Sequence, residues 1–437
     1  MKTHRNTKLC ILLLNVGIIF PFYFTCALQL KAQENEKQEK KFKYNLYGYI
    51  AYDITADTYE SKTTRNELFY FYPLKPDIHP VSGDDLNENF QLNMLSIQNR
   101  IGVKVSAPDF FNAKTSALVE TDFMGTAEAY NYMLRLRLAY FSMKWEKATL
   151  LLGQYWHPLF TPECNPNTVC FGKSPAYNPL NRSGQARVDY TVNNAIKLIG
   201  TMSMNSYHKS VGPAKSQINA GVPDFQLQSH FTLGKILLGV GGGYFQLQPL
   251  LGDRGYKNKE KIHAFDAIVF GSATFNKVSV RLKSVIGQNL THTLLTGGFG
   301  RIFDDQNNDS TFRYTSLITN ANWIDCDYRL TKNISLGVFG GLTLNLGANK
   351  KITPIIDDPF FYANGTDIAY IIKIAPRVVY TVNNLVFALE YSNDRAAYTE
   401  EFDCYYRPKT INLQTGINNR VLFSAKYNFM GTPKRNS

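Results

Sequence analysis

After Leu28 the sequence contains no run of 18 or more apolar residues. A transmembrane helix needs about 20 such residues, so no membrane-spanning helix is predicted beyond that point. If the chain crosses a membrane, it must do so as a closed β-barrel, because only a barrel satisfies every backbone hydrogen bond between its strands.

Motifs of catalysis and cofactor binding are also missing. No G-x-S-x-G sequence is present, which disfavours a serine hydrolase of the α/β type. Gly172-Lys173-Ser174 matches the end of a phosphate-binding loop, but Asn167 stands where that motif needs its first glycine. The seven histidines show no spacing typical of metal ligands. The sequence therefore predicts no enzyme activity, no cofactor and no metal site.

Acidic residues are fewer than basic ones, 35 against 47, which gives a formal net charge of +12. Four of the bases precede residue 34, so the remainder carries about +8. The bases are spread at strand spacing rather than gathered in one run, so nucleic-acid binding is not predicted. A basic channel or surface that attracts anions is compatible with this charge.

The first 33 residues have the organisation of a secretory signal peptide: Lys2, Arg5 and Lys8, then an apolar run from Leu9 to Leu28. Removal is expected near Ala32, and the alternatives are a retained membrane anchor or a lipid anchor at Cys26. The predicted organisation is a signal peptide (1–33), a short periplasmic segment (34–42), a barrel (43–429) and a periplasmic tail (430–437).

Seven short polar turns recur along the chain, each flanked by stretches of alternating apolar and polar residues. They are Pro108-Asp109-Phe110-Phe111-Asn112, Glu146-Lys147, Asn193-Asn194, Gly234-Lys235, Asn276-Lys277, Lys332-Asn333 and Asn383-Asn384. Each short turn with its two flanking stretches forms a hairpin, and a longer connection joins each hairpin to the next. Such asymmetry, with aromatic residues at 14% of the composition, is typical of an outer-membrane barrel with aromatic girdles.

Pairing the turns with their flanking stretches predicts an all-β fold: an antiparallel transmembrane barrel of sixteen strands, with short periplasmic turns and long extracellular loops. The predicted strand cores are 43–55, 91–106, 113–123, 133–144, 148–156, 185–192, 195–204, 225–233, 236–248, 263–275, 278–288, 313–328, 334–346, 367–381, 385–394 and 414–429. Because the count is even, both termini are expected in the periplasm.

Alternation with period two places the apolar face of each strand against lipid and the polar face in the lumen. The lumen-facing arginines Arg100, Arg135, Arg137 and Arg187 then fall on the second, fourth and sixth strands, which belong to one wall. Guanidinium groups in a row would attract carboxylate or phosphate solutes. Glu120 and Asp122 lie on the strand between them, and the alternative is that these charges only neutralise one another. Leu118, Phe270 and Ile371 are inward positions that break the polar pattern.

The loop at residues 157–184, after the fifth strand, is rich in proline. It also contains Cys164 and Cys170, which we expect to form a disulfide in an oxidising compartment. The loop could fold into the barrel and place Glu163, Lys173 and Arg182 opposite the wall arginines, or it could pack on the outer rim.

This organisation, with the final strand ending Ala425-Lys426-Tyr427-Asn428-Phe429, resembles Gram-negative outer-membrane porins. The segment Leu152-Gly153-Gln154-Tyr155-Trp156-His157-Pro158 is similar to the corresponding stretch of DcaP-like porins. The resemblance implies a homotrimer in the outer membrane, with residues 157–184 as a constricting loop beside an arginine cluster. The chain departs from the pattern because eight residues follow Phe429, whereas many barrels end at the terminal aromatic residue.

The sequence thus predicts a water-filled channel for passive diffusion of small hydrophilic solutes, with an expected preference for anions or carboxylates. The alternative is a substrate-specific transporter or a surface-binding barrel with a plugged lumen. The residues expected to line the pore or its constriction are Arg100, Arg135, Arg137, Arg187, Glu120, Asp122, Glu163 and Lys173.

Overall fold

The computed structural model describes residues 42–253, 255–302, 313–352 and 361–431. The predicted signal peptide and most of the predicted tail lie outside these residues. Among the described residues, no helix is long and apolar enough to cross a membrane.

Sixteen antiparallel strands, β1 to β16 in chain order, form one closed barrel. They are Lys43–Asp57, Gln91–Leu95 with Arg100–Ser106 (two parts of β2), Lys114–Asp122, Arg135–Lys144, Ala148–Trp156, Arg182–Thr191, Ile196–Met204, Asp224–Leu233, Ile236–Leu247, Ile262–Phe275, Val278–Gln288, Tyr314–Arg329, Ile334–Ala348, Ile368–Val382, Leu385–Tyr398 and Gln414–Gly431.

Each barrel strand pairs with its neighbours in sequence, and β1 closes the barrel by pairing with β16 in a register that sets Asp53 opposite Ser424. The predicted count of sixteen strands is confirmed. β2 is interrupted at residues 96–99, where the Asn99 side chain accepts a hydrogen bond of 2.9 Å from the Ala51 N–H. That side chain takes the place of a backbone acceptor in the ladder.

The two ends of the barrel differ as the turn pattern predicts. Seven short turns join strands at the end that holds both chain ends of the barrel, and eight longer loops join them at the other end. Several turns include a residue in the left-handed region, such as Gly234 (φ 59°), Asn276 (φ 47°) and Asn383 (φ 52°). Glycine and asparagine tolerate that conformation, which tight hairpins require.

The alternation of each strand separates an apolar outer face from a polar inner face. On β8, Phe225, Leu227 and Leu233 are exposed on the outside, whereas Gln226 and His230 are buried inside. Two of the three apolar inward exceptions have a packing partner. Phe270 and Ile371 are buried in one core cluster with Leu159 and Tyr177, which belong to the loop after β5, so these two positions are apolar because a loop covers them. Leu118 is half-buried and lies outside this cluster.

Short elements occupy the long loops. The first long loop (residues 58–90) contains a hairpin of Ser61–Thr64 with Phe69–Pro73. The third long loop (residues 157–181) begins with a 3₁₀ turn at Pro158–Phe160. Other short elements are the helices Glu128–Tyr130, Ser216–Ala220 and Leu290–Thr293 and the strands Gly252–Asp253, Tyr256–Lys257, Gly297–Arg301 and Phe361–Asn364.

Candidate functional site

The third long loop folds into the barrel and crosses its interior. Gln228 on β8 donates to the Pro158 carbonyl (2.9 Å), and Thr343 on β13 donates to the Ala176 carbonyl (2.6 Å). Trp323 on β12 donates its indole N–H to Asn178 Oδ1 (3.1 Å). Since β12 and β13 lie across the lumen from β5, where the loop starts, the loop spans the channel.

Acidic side chains of the far wall hold the tip of this loop. Glu390 on β15 accepts hydrogen bonds from the backbone N–H groups of Val169 (2.7 Å) and Cys170 (3.2 Å). Asp325 on β12 accepts one from the N–H of Asn167 (2.9 Å). Carboxylates satisfy exposed backbone donors especially well because hydrogen bonds to a charged group are the stronger ones.

A basic wall residue supports the other half of the loop. The ammonium group of Lys283 is fully buried and donates to the Phe160 carbonyl (2.5 Å) and to Asn178 Oδ1 (3.0 Å). Lys283 therefore acts as a structural anchor of the loop rather than as a charge open to solutes.

The hairpin of the first long loop also enters the barrel. Phe69 packs edge-on against Phe171 of the third loop, with ring centroids 4.8 Å apart. Tyr70 lies against the ammonium of Lys373 (5.0 Å) and the guanidinium of Arg420 (5.1 Å). Together the two loops fill the part of the lumen that faces β12 to β16.

The disulfide predicted within the third loop is not formed in the structure, where both thiols are free and buried. The Cys164 thiol points to the wall and donates to the Gly271 carbonyl (3.3 Å), whereas Cys170 Sγ lies 3.4 Å from Ser174 Oγ. Hydrogen bonds to the barrel wall hold the loop in the observed conformation instead.

A cavity of about 410 Å³ remains between the loop tip and the wall formed by β1, β2, β4 to β6 and β14 to β16. Five basic residues line it: Arg100, Arg137, Lys173, Arg182 and Lys426. None of the described residues that line it is acidic. Aromatic rings of Tyr49, Phe69, Trp156, Phe160 and Phe171 complete the lining.

Carboxylates of the wall neutralise part of the predicted arginine row. Asp122 accepts from Arg135 Nε (2.5 Å) and from Arg137 Nη1 (2.7 Å). Glu120 accepts from Arg137 Nε (2.8 Å), and its nearest approach to Arg100 Nε is 3.7 Å. The two acids thus lie behind the arginines. Arg100 has a longer ion-pair distance than Arg135 and Arg137, so its charge is the least neutralised of the three.

Arg182, which also lines this cavity, has no ion-pair partner among the described residues. Only 3% of the residue is exposed, and its Nε and Nη1 have no hydrogen-bond partner. Its guanidinium lies over the rings of Tyr207 (4.3 Å to the centroid) and Trp156 (5.1 Å). Aromatic faces stabilise a cation without neutralising its charge, so the Arg182 guanidinium contributes its full positive charge to the field in the cavity.

Lys173 and Lys426 add positive charge from the loop and from β16. The Lys173 ammonium has one long contact, 3.4 Å to the Thr168 carbonyl. Burial, with the nearby charge of Lys426, lowers the pKa of Lys173 to about 8. Lys426 lies over the Tyr49 ring at 5.2 Å.

Of the residues predicted to line the pore, Arg100, Arg137 and Lys173 meet at this cavity, with Arg135, Glu120 and Asp122 directly behind them. Arg187 instead pairs with Asp189 (2.6 Å), and Glu163 pairs with Lys197 (3.3 Å). Neither lines the cavity. Arg182 was expected in the constricting loop, opposite the wall arginines, but it is the first residue of β6. Lys426 was not among the predicted site residues, because no sequence feature separates a paired base from an unpaired one.

A second cluster lies at the base of the third loop, where His157, Asp224 and His292 are all buried. Their ligand atoms lie within 4.8 Å of one another, which is compatible with a shared metal ion.

No family model matches this chain, and no curated protein matches it in sequence. Solved structures do match. The outer membrane channel DcaP of Acinetobacter baumannii aligns with a TM-score of 0.62 and 14% identity, over 91% of this chain and all of that one. Outer-membrane expressed OmpT of Vibrio cholerae aligns with a TM-score of 0.53 and 12% identity, over 91% of this chain and all of that one. An anion-selective porin from Comamonas acidovorans aligns with a TM-score of 0.54 and 7% identity, over 89% of this chain and all of that one. At these identities the likeness concerns the fold, which is that of an outer-membrane porin.

Proposed function

We propose that this chain is a porin of a Gram-negative outer membrane and carries out passive diffusion of small hydrophilic solutes, with a preference for anions. The observation that supports the preference most directly is the cavity lining, with five basic and no acidic side chains among its described residues. A dissolved anion in this cavity would be attracted by the guanidinium of Arg182 and by the ammonium groups of Lys173 and Lys426, which all line it.

The solutes are expected to be small carboxylates or phosphates. Guanidinium forks match these groups in shape and charge. The proposed activity is transport without catalysis, and no cofactor is involved. Outer-membrane lipids would contact the exposed apolar face, of which Leu227, Phe265 and Val269 are examples.

We also propose a homotrimer, as the resemblance to porins implied. One of the matching Vibrio cholerae structures is described as a trimer form. Chemical cross-linking of the detergent-solubilised protein tests this, and a single monomeric band at all cross-linker concentrations would refute it.

A plugged, surface-binding barrel or a substrate-specific transporter is the second candidate. It is favoured by the two loops that fill much of the lumen, one anchored to Glu390 and the other packed on it through Phe69 and Phe171.

Planar-bilayer recording of the purified, folded protein separates these candidates. Discrete conductance steps in potassium chloride support the porin, and a reversal potential of anionic sign under a salt gradient supports the anion preference. Absence of stable steps would favour the plugged barrel. A cationic reversal potential would remove the anion preference and leave the channel intact.

A further inference from the structure

Three side chains from distant parts of the chain converge at one end of the barrel interior. His157 follows β5 at the start of the third long loop, Asp224 begins β8, and His292 belongs to the short helix Leu290–Thr293. His157 Nε2 lies 2.8 Å from Asp224 Oδ2, and His292 Nε2 lies 4.0 Å from the same oxygen. All three side chains are 0% or 1% exposed.

His292 presents an unused nitrogen to this cluster. Its Nδ1 lies 3.3 Å from the Asn289 carbonyl oxygen, which can only accept, so the hydrogen of the neutral ring belongs on Nδ1. Nε2 then carries a lone pair, and it is buried without any hydrogen-bond partner. A buried acceptor without a partner destabilises the fold, so this nitrogen is a candidate metal ligand.

We propose that His157, Asp224 and His292 form a binding site for a late first-row divalent transition metal ion, for which Zn²⁺ is the probe. Two imidazoles and one carboxylate make a donor set that suits Zn²⁺, with a fourth position for water. The donor set disfavours Mg²⁺ and Ca²⁺, which prefer oxygen ligands throughout.

The groups around the three ligands orient them. Asp224 accepts hydrogen bonds from Asn205 Nδ2 (3.1 Å) and Gln226 Nε2 (3.1 Å). The Asn289 carbonyl holds the His292 ring with Nε2 facing inward. Such outer contacts are typical of metal centres, where they set the ring orientation and the tautomer.

Metal binding through His157 Nε2 replaces two hydrogen bonds of this ring. In the structure, Nδ1 accepts a hydrogen bond of 3.3 Å from the Leu159 N–H, and Nε2–H donates to Asp224 Oδ2 (2.8 Å). To bind a metal through Nε2, the ring must carry its hydrogen on Nδ1 and give up both contacts. The Asp224 carboxylate then binds the ion in place of that hydrogen, and the two lost hydrogen bonds are small beside the affinity of a zinc site.

The site borders a cavity between the loops that follow β7 and β11. His292 lines a cavity of about 150 Å³ together with Met204, Asn205 and Ser216. An ion held there would join the base of the third long loop to the β8 wall and to the loop after β11. The proposed role of the metal is therefore to stabilise the loop that narrows the channel.

The test is equilibrium dialysis of the folded, full-length protein in detergent against Zn²⁺, with bound metal measured by mass spectrometry. We expect one ion per chain, and loss of that ion in His292→Gln and in Asp224→Asn. His263→Gln is the matched control, because His263 is exposed and its Nδ1 contacts the Tyr244 hydroxyl (2.8 Å).

Electronic absorption of the Co²⁺-loaded wild-type protein provides a second measurement that does not depend on a variant folding. Intense visible bands of a four-coordinate ion support the site. The proposal is overturned by spectra of hexaaqua Co²⁺, by no stoichiometric Zn²⁺ binding to the wild type, or by binding that His292→Gln leaves unchanged in a folded barrel.

Discussion

The backbone N–H of Val169, at the tip of the third long loop, donates a hydrogen bond of 2.7 Å to Glu390 Oε2 on the opposite wall. This contact sets the distance between the loop and the basic wall, and so the width of the passage between them.

Replacing Glu390 by Ala should release the loop tip. The variant loses two hydrogen bonds to a charged acceptor, those from Val169 and Cys170, each worth about 1.5–3 kcal/mol. We expect larger and noisier single-channel conductance in planar bilayers. Glu146→Ala, in an exposed turn, is the control. Equal conductance in all three proteins would contradict the anchoring role.

Arg182→Gln should weaken the anion preference more than any change of an exposed arginine. A charge within a few ångströms of a permeating ion changes the interaction energy of that ion by at least about 1 kcal/mol. This corresponds to about a fivefold change in the partition of the ion into the channel. The measurement is the reversal potential under a potassium chloride gradient. Arg329→Gln makes the same change in net charge at an exposed position and should keep the wild-type value. If the two variants behave alike, Arg182 does not face the permeating ion.

Anion preference should fall as the pH rises through the pKa of Lys173, about 8, which burial holds below the usual value for lysine. The ammonium is charged below that pH and neutral above it, so the positive charge is present at pH 6 and lost by pH 9–10. Reversal potentials across this range should follow that transition. The Lys173→Met variant should show the weaker anion preference at every pH in this range, with no change in reversal potential near pH 8. A transition that persists in the variant would assign it to another group.

Asp122→Asn should destabilise the barrel, because it leaves Arg135 and Arg137 without the carboxylate that both now contact. Removing one partner of a buried ion pair costs about 3–5 kcal/mol. The measurement is the urea dependence of folding into lipid vesicles, followed by tryptophan fluorescence. Asp109→Asn, in an exposed turn, is the control and should stay within about 0.5 kcal/mol of the wild type.

Cys164 and Cys170 should react as free thiols once the protein is unfolded without reductant, because their sulfurs contact different groups in the fold. Alkylation followed by peptide mass spectrometry should place a label on each residue. In the folded protein both should label slowly, since both are buried. An unlabelled peptide that is two hydrogens lighter than the free-thiol form would show that Cys164 and Cys170 form the disulfide after all.

The sequence alone determined the barrel. Period-two alternation and polar turns act within a few residues, so they identify each strand, the number of strands and the inward face without knowledge of distant contacts. β1 was predicted at 43–55 and extends over Lys43–Asp57; β16 was predicted at 414–429 and extends over Gln414–Gly431. The observed strand ends differ from the predicted ones where strand pairing continues into the loops. An example is β15, which was predicted to end at residue 394 and ends at Tyr398.

Only the tertiary structure decided which charges remain available. Arg137 and Arg182 both lie on inward faces, but Arg137 meets two carboxylates while Arg182 meets two aromatic rings. Likewise His157, Asp224 and His292 are far apart in the chain and adjacent in space. Local patterns specify the direction of a side chain, whereas its partners depend on how the loops fold across the closed barrel. The strand architecture was therefore readable from sequence, and the chemistry of the channel was not.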